Sequence, residues 1–387
     1  MVNTVSTRAA ELEQSEDRME SRKIQQVGSS TLAVSLPREW ARKIGLNRGD
    51  LIYLEEVQDG TLKVVPENLR DRKPPEKTLI LNADLCVEPG MLKRIIMGNY
   101  ALGIDTIKVT STSRLSGYHV NEIREAVRAL MGMGIMEETS SHVTLQCSID
   151  VTKFPITTSI MRLYMIASTM HKEAIEAFQN VNIKMAEETK QRKTEANTMF
   201  WAITRLLAVA QNDHILAESI GIDDPMDLLF YRVVALCLER ISAWSDTIAQ
   251  KAIELEPARG SLGKYLVTRV QEISDISYGI CHRAVNCLFT RDVKMANNAI
   301  ESYNKIADME ETFQKAICTY AKLKSQFFSV DRYFIGENPP NPCAIAQLSL
   351  ILWSLRRIAE LGSEIADVTI HRALRKDTKL SKAVIDE

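Results

Sequence analysis

The chain has 387 residues, of which 45% are apolar and 25% charged, and its formal net charge is −2. These are the proportions of a soluble protein with two or three domains, and the near-neutral balance excludes a chain that coats nucleic acid along its whole length. No uninterrupted apolar run approaches the roughly 20 residues of a membrane span, so no membrane insertion is expected.

Residues 1–20 are polar and mixed in charge, and lack the apolar centre of a signal peptide. They are expected to be a flexible tail. Residues 21–68 read as a small β-rich module. Arg22 to Val27 is strand-like, Gly28, Ser29 and Ser30 turn the chain, and Leu32, Val34 and Leu36 alternate with small residues as in a half-buried strand. Pro37 can open a helix without losing a needed N–H. Glu39 in its first turn and Arg42 and Lys43 in its last follow the helix dipole, and Gly45 is a stop. Strands over Leu51–Glu56 and Thr61–Val65 meet across a turn at Asp59-Gly60.

So small a segment buries little surface alone, and two copies interleaving their hairpins into one barrel would supply the missing core. From Glu20 to Arg70, eight basic residues face seven acidic ones. Most of the basic residues precede Gly49, however, and a clustered face matters more for phosphate contacts than the sum does. The module is either a DNA-binding dimer or a dimerisation device alone. The residues Val27-Gly28 with Ser29-Ser30, Val34-Ser35-Leu36-Pro37, Ile44-Gly45-Leu46, Gly49-Asp50 and the strand from Gly60 to Pro66 resemble the AbrB/SpoVT swapped-hairpin DNA-binding family. The resemblance implies a homodimer whose basic residues rest on DNA, with Arg22, Lys23, Arg38, Arg42 and Lys43 as the candidate phosphate contacts.

Residues 69–76 carry charges followed by Pro74 and Pro75, the mark of a semi-stiff linker. Residues 77–150 read as a small α/β domain in βαβαββ order. Its strands are Thr78–Asn82, Thr106–Val109, Ile135–Glu138 and His142–Gln146. One helix follows Pro89-Gly90 and the other spans Tyr118–Met131, with Val120, Ile123, Val127 and Leu130 on one stripe. No phosphate-binding glycine loop or nucleophile elbow is present. Asp84, Asp105 and His119 match no metal or acid–base spacing, so a structural or regulatory role is expected, with a small-ligand site as the alternative.

Residues 155–387 are helical in pattern. Six apolar stripes repeat at three- and four-residue spacing. They run through Ile160 to Ala174, Ala196 to Ala210, Val234 to Ala252, Leu266 to Ala284, Val293 to Ala307 and Leu348 to Ile370. Leu238-Glu239-Arg240-Ile241 recurs as Leu355-Arg356-Arg357-Ile358, and Ala174 to Phe178 corresponds to Ala284 to Leu288. The pattern predicts an all-α half of two three-helix bundles, 155–256 and 260–376. Seven cysteines with no C-x-x-C read as reduced thiols in the cytoplasm, with Cys281 and Cys287 as packing residues. His171 and His371 are expected to be solvated or capping.

Leu238-Glu239-Arg240-Ile241, Arg357-Ile358-Ala359-Glu360, Ile365-Ala366, Asp292 with Ala296, and Asp308 resemble the PhoU family of phosphate-uptake regulators. With the two N-terminal modules, the whole chain looks like the archaeal members of that group. The resemblance implies E/D-x-x-x-D carboxylate pairs on facing helices that bind hard cations. Matched residue by residue, those positions hold Lys193 and Asn197, Glu239 and Ala243, Asn304 and Asp308, and Arg356 and Glu360. Glu239, Asp308, Glu360 and Glu364 are the candidate ligands for a divalent or trivalent metal. Lys193 and Arg356 disfavour a multinuclear cluster, and they leave open a pairing with Glu239 or an anion site.

The sequence therefore predicts a multidomain cytoplasmic homodimer: a swapped-hairpin β-barrel, a small α/β domain and tandem three-helix bundles. The function implied by resemblance is phosphate-responsive transcriptional regulation through DNA. In that reading the helical half receives its signal from a phosphate transporter, a sensor protein or a ligand; the alternative is an adaptor without DNA binding that regulates a phosphate transporter by contact alone. No nucleophile–base constellation points to an enzyme.

Overall fold

The structure is a computed structural model and describes residues 20–56, 60–67, 76–150, 153–323 and 342–375. Residues 1–19 of the expected tail, Asp59 of the hairpin turn and linker residues 69–75 lie outside these. The chain divides into two compact units between Pro75 and Glu76.

The first unit is two separate antiparallel hairpins and one helix. Strand β1 (Gln25–Val27) pairs with β2 (Thr31–Ala33), and β3 (Ile52–Glu56) pairs with β4 (Leu62–Pro66). The first two strands are shorter than the alternation suggested, and among the described residues the hairpins form two separate sheets. Helix α1 (Arg38–Ile44) lies between them. Among the described residues of this unit, Pro66 alone is buried. Val27, Leu32, Leu54 and Leu62 are all more than half exposed.

The second unit begins with a four-stranded mixed sheet. Its strands are β5 (Thr78–Asn82), β6 (Thr106–Thr110), β7 (Met133–Glu138) and β8 (His142–Cys147), in the order β5-β6-β8-β7. β5 and β6 are parallel, and β8 runs antiparallel to both β6 and β7. Helices α2 (Met91–Ala101) and α3 (Gly117–Ala129) supply the apolar cover. Leu92, Ile96, Tyr100, Ile107, Val109, Ile123 and Leu145 form the core of this layer. Helix α3 ends two residues earlier than the stripe suggested, because Leu130 turns to extended geometry and still buries its side chain.

Among the described residues, six long α-helices and one short one follow. The first bundle holds α4 (Ile156–Asn180), α5 (Ile183–Ala210) and α7 (Pro225–Leu255), with α6 (His214–Ser219) between the last two. The second holds α8 (Lys264–Thr290), α9 (Val293–Leu323) and α10 (Pro342–Leu374). The repetition extends to backbone detail. Val181 and Arg291, at matching helix ends, both take left-handed geometry with φ 55. The next residues, Asn182 and Asp292, each accept a hydrogen bond from the amide three residues on. One core runs through both bundles, because α7 packs on α10 and α4 meets α8.

The α/β layer packs against α5. Trp201 touches both cores. Arg205, buried, donates to the carbonyls of Tyr100 and Ile104 at 2.9 and 2.8 Å and to Asp105 Oδ1 at 2.6 Å. Asp105 also accepts from the Lys77 amide, fixing the entry to β5.

Candidate functional site

In the first unit the candidate DNA contacts sit on exposed backbone. Pro37 is extended and precedes α1, and Gly45 ends it with φ 75, a left-handed conformation that costs a side-chain-bearing residue about 1–2 kcal/mol. The Leu46 amide reaches back to the Ala41 carbonyl at 2.9 Å and closes the last turn. This locks a helix that buries nothing. Arg38 and Arg42 stand one turn apart, with Lys43 beside Arg42, and all three are exposed. Arg22 and Lys23 lie on the exposed segment entering β1, where Arg22 pairs with Glu20.

In the helical half the four candidate metal ligands are not brought together. Glu239 on α7 is taken by Lys193 on α5; the two side chains are only 17% and 20% exposed. The same ammonium donates to Ser242 Oγ at 3.1 Å and to the Glu239 carbonyl at 3.4 Å. Glu360 pairs with Arg357 one turn away. Glu364 is exposed and accepts from the Cys237 thiol at 3.5 Å. Asp308 is exposed and lines a cavity of about 170 Å³ with Tyr265, Arg269, Met309, Thr312 and Phe313. Among the described residues, no group of three or more His, Cys, Asp or Glu is placed to hold a metal ion.

Arg356 is likewise paired. Its Nη1 donates to Glu310 at 2.9 Å and its Nε to the Tyr303 hydroxyl at 3.4 Å. Those two contacts raise its pKa, Tyr303 first and Glu310 second. Glu310 is buried and was missed by sequence reasoning. The cue was available: it lies one heptad past Tyr303, on the helix face that meets α10. Lys193 and Arg356 therefore do not form an open anion site, because each meets a carboxylate.

The polar residues of the α/β layer tie loops together. Asp84 accepts from Ser111 Oγ at 2.6 Å and from the Thr112 amide and hydroxyl at 2.8 Å each. These bonds hold its carboxyl below the usual range. Glu122, buried, accepts from the Gly90 and Lys93 amides and fills the N-terminus of α2. His119 Nε2 lies 3.2 Å from the Cys86 carbonyl. Asp84, Asp105 and His119 thus have structural partners, and they share no single site.

His171 is not solvated. It is buried and contacts Ser274 Oγ at 2.8 Å across α4 and α8. Burial, with the Lys172 charge adding to it, pushes its pKa down to about 4. His371 is exposed in the last turn of α10. Cys281 and Cys287 are buried, as packing residues should be, and burial raises both thiols. No described helix is long and apolar enough to cross a membrane.

Comparison with known proteins gives two family matches. Residues 25–71 match the MazE family, described as antidote-toxin recognition MazE, bacterial antitoxin. Residues 160–252 match the PhoU domain. Among solved structures, PhoU from Pseudomonas aeruginosa aligns with 57% of this chain and 95% of its own, at 16% identity and a TM-score of 0.47. No curated protein matches the chain significantly. The chain thus joins a MazE/AbrB-like N-terminal domain, a mixed α/β layer and a helical region that carries a PhoU domain.

Proposed function

We propose that the chain is a phosphate-responsive transcriptional regulator of phosphate uptake, working in the cytoplasm as a dimer. The observation that carries this reading is the presence in one chain of a PhoU domain and a MazE/AbrB-like module whose Arg38, Arg42 and Lys43 stand exposed on one short helix. The N-terminal module binds DNA, with Arg22, Lys23, Arg38, Arg42 and Lys43 on phosphates. The two hairpins leave Val27, Leu32, Leu54 and Leu62 exposed, and a second copy is the partner that would cover them. The helical half receives the signal from a phosphate transporter, a sensor protein or a ligand. Both families are regulatory rather than catalytic, and the chain is read as having no enzymatic step.

The second reading is an adaptor whose N-terminal module only dimerises while the helices contact a transporter. The near balance of eight basic and seven acidic residues in that module favours it. The test compares phosphate-transport transcripts, at high and low phosphate, in cells that carry the wild-type chain, none, or the Arg38→Ala, Arg42→Ala double variant. The regulator reading expects the double variant to behave like the deletion. Transcripts matching wild type in the double variant, with altered phosphate uptake in the deletion, favour the adaptor.

A further inference from the structure

A PhoU domain implies metal held by carboxylates on facing helices, and the residues of this chain do not fit that group. A hard cation needs several oxygen ligands with carboxylates among them. Between α5 and α7 the side chain facing Glu239 is an ammonium, and it already has three oxygens: a Glu239 carboxylate oxygen, the Glu239 carbonyl and Ser242 Oγ. Three acceptors match the three donors of a lysine ammonium. Asp246, one turn past Ser242, is half-buried, and burial raises its carboxyl pKa despite the opposing charges of Lys190 and Lys193. Lys190 in turn donates to Gln250.

The second bundle reaches the same neutrality with the signs reversed. At the third-helix position that holds Glu239 in the first repeat, α10 has Arg356. The carboxylate comes from the second helix instead, as Glu310, with the Tyr303 hydroxyl beside it. A neighbouring helix pair also shifts its cation, although there a serine takes the place of the carboxylate. Arg192 on α5 binds Glu173 on α4 through two hydrogen bonds. At the matching positions Arg283 on α8 binds Ser302 on α9 at 3.0 Å. The cation has moved from the second helix to the first.

We infer that the helical half carries its cations as side chains: Lys193 in the first bundle and Arg356 in the second take the place of bound metal, so this half folds and keeps its shape without one. An ammonium fixed to α5 is always at hand, whereas a metal ion would bind in proportion to its free concentration. The substitution of side chain for metal concerns the helical half alone and stands whether or not the chain binds DNA.

The test uses the full-length protein. Wild-type protein is dialysed against EDTA and then buffer, its metal content measured, and its thermal unfolding followed with and without Mn2+ or Mg2+. Substoichiometric metal and an unchanged melting temperature are expected. Lys193→Gln should melt several degrees lower, because it leaves the largely buried Glu239 only the longer contact to the exposed Arg240, at 3.7 Å, and Lys193→Arg should lose less because it keeps the charge. The inference is overturned if wild-type protein retains one or more metal ions per chain or melts lower after EDTA. Equal losses in the Gln and Arg variants, or none in the Gln variant, would also overturn it. Where Lys193→Gln does not fold, the metal content and EDTA response of the wild type decide the matter.

Discussion

Arg372, near the end of α10, holds Asp227, in the first turn of α7, through two hydrogen bonds of 2.8 and 2.6 Å, with both side chains buried. The guanidinium also lies over the Tyr231 ring and donates to the Leu288 carbonyl at 3.2 Å. One side chain thus ties the two bundles together at this end of the α7–α10 packing. Removing it strands a buried carboxylate. Arg372→Met is predicted to cost about 3–5 kcal/mol, the range for breaking a buried pair from one side. Denaturant unfolding measures this, and a loss well under 1 kcal/mol would show that water reaches Asp227.

His171 sets a pH dependence. Its folded pKa lies near 4, below its ordinary 6.5, because burial opposes the charge. A depressed histidine pKa means that the unfolded chain binds the proton more readily. Its contribution is therefore fully present above pH 6.5 and is lost as pH falls toward 4. Over that window the loss is about 3 kcal/mol. Unfolding free energies of wild type and His171→Gln, compared between pH 7 and pH 4, should converge as pH falls. A constant difference across the window would contradict the assignment.

At Gly362, α10 comes close to α8. A Cβ placed there would sit 2.9 Å from Cys281 Sγ and 3.1 Å from the Cys281 amide nitrogen. The backbone atom cannot swing aside, so Gly362→Val is predicted to destabilise by about 1–3 kcal/mol or more through overpacking. Thermal unfolding of the variant checks this. A melting temperature equal to wild type would mean that the two helices are farther apart than described.

Arg205 fastens the α/β layer to the first bundle through the Tyr100 and Ile104 carbonyls and the Asp105 carboxylate. Arg205→Met removes the guanidinium from all three acceptors, leaving Asp105 the Lys77 amide and the Tyr100 carbonyl the Gly103 amide. Hydrogen exchange of the amides around residues 99–106 should quicken, while amides in the core of α10 stay as protected as in wild type. Unchanged exchange near Asp105 would show that Trp201 and its apolar neighbours hold the layer without the guanidinium.

The helical half was legible because its information is local. Ile160, Leu163, Ala167, Met170 and Ala174 repeat with the helix period, and all five are buried. The repeat relating Leu238–Ile241 to Leu355–Ile358 separated the bundles before any packing was known. The βαβαββ order was equally plain, since each strand is a short apolar run between turn residues. What the sequence hid were pairings between helices distant along the chain. Glu310 on Arg356, Asp227 on Arg372 and Ser274 on His171 each depend on the rotation and axial shift of two helices, which no periodicity records. Lys193 and Arg356 were visible as departures from a carboxylate pattern, but Glu310 as the partner of Arg356 was not. At the N-terminus the alternation found the strands but overstated the first two, whose apolar residues stay exposed within a single copy.

Arg38, Arg42 and Lys43 carry the DNA-binding reading, and binding of the intact protein to DNA from its own promoter region across a salt series tests it most directly. Wild type should bind at low salt and weaken steeply as salt rises. The Arg38→Ala, Arg42→Ala double variant should bind more weakly, with the slope of log K against log salt shallower by about 2–4, close to one unit for each phosphate that a dimer of the variant no longer neutralises. Absence of binding even at low salt would contradict the DNA-binding reading and leave the first unit as a dimerisation device, whereas identical curves for the two proteins would contradict the assignment of Arg38 and Arg42 to the DNA face.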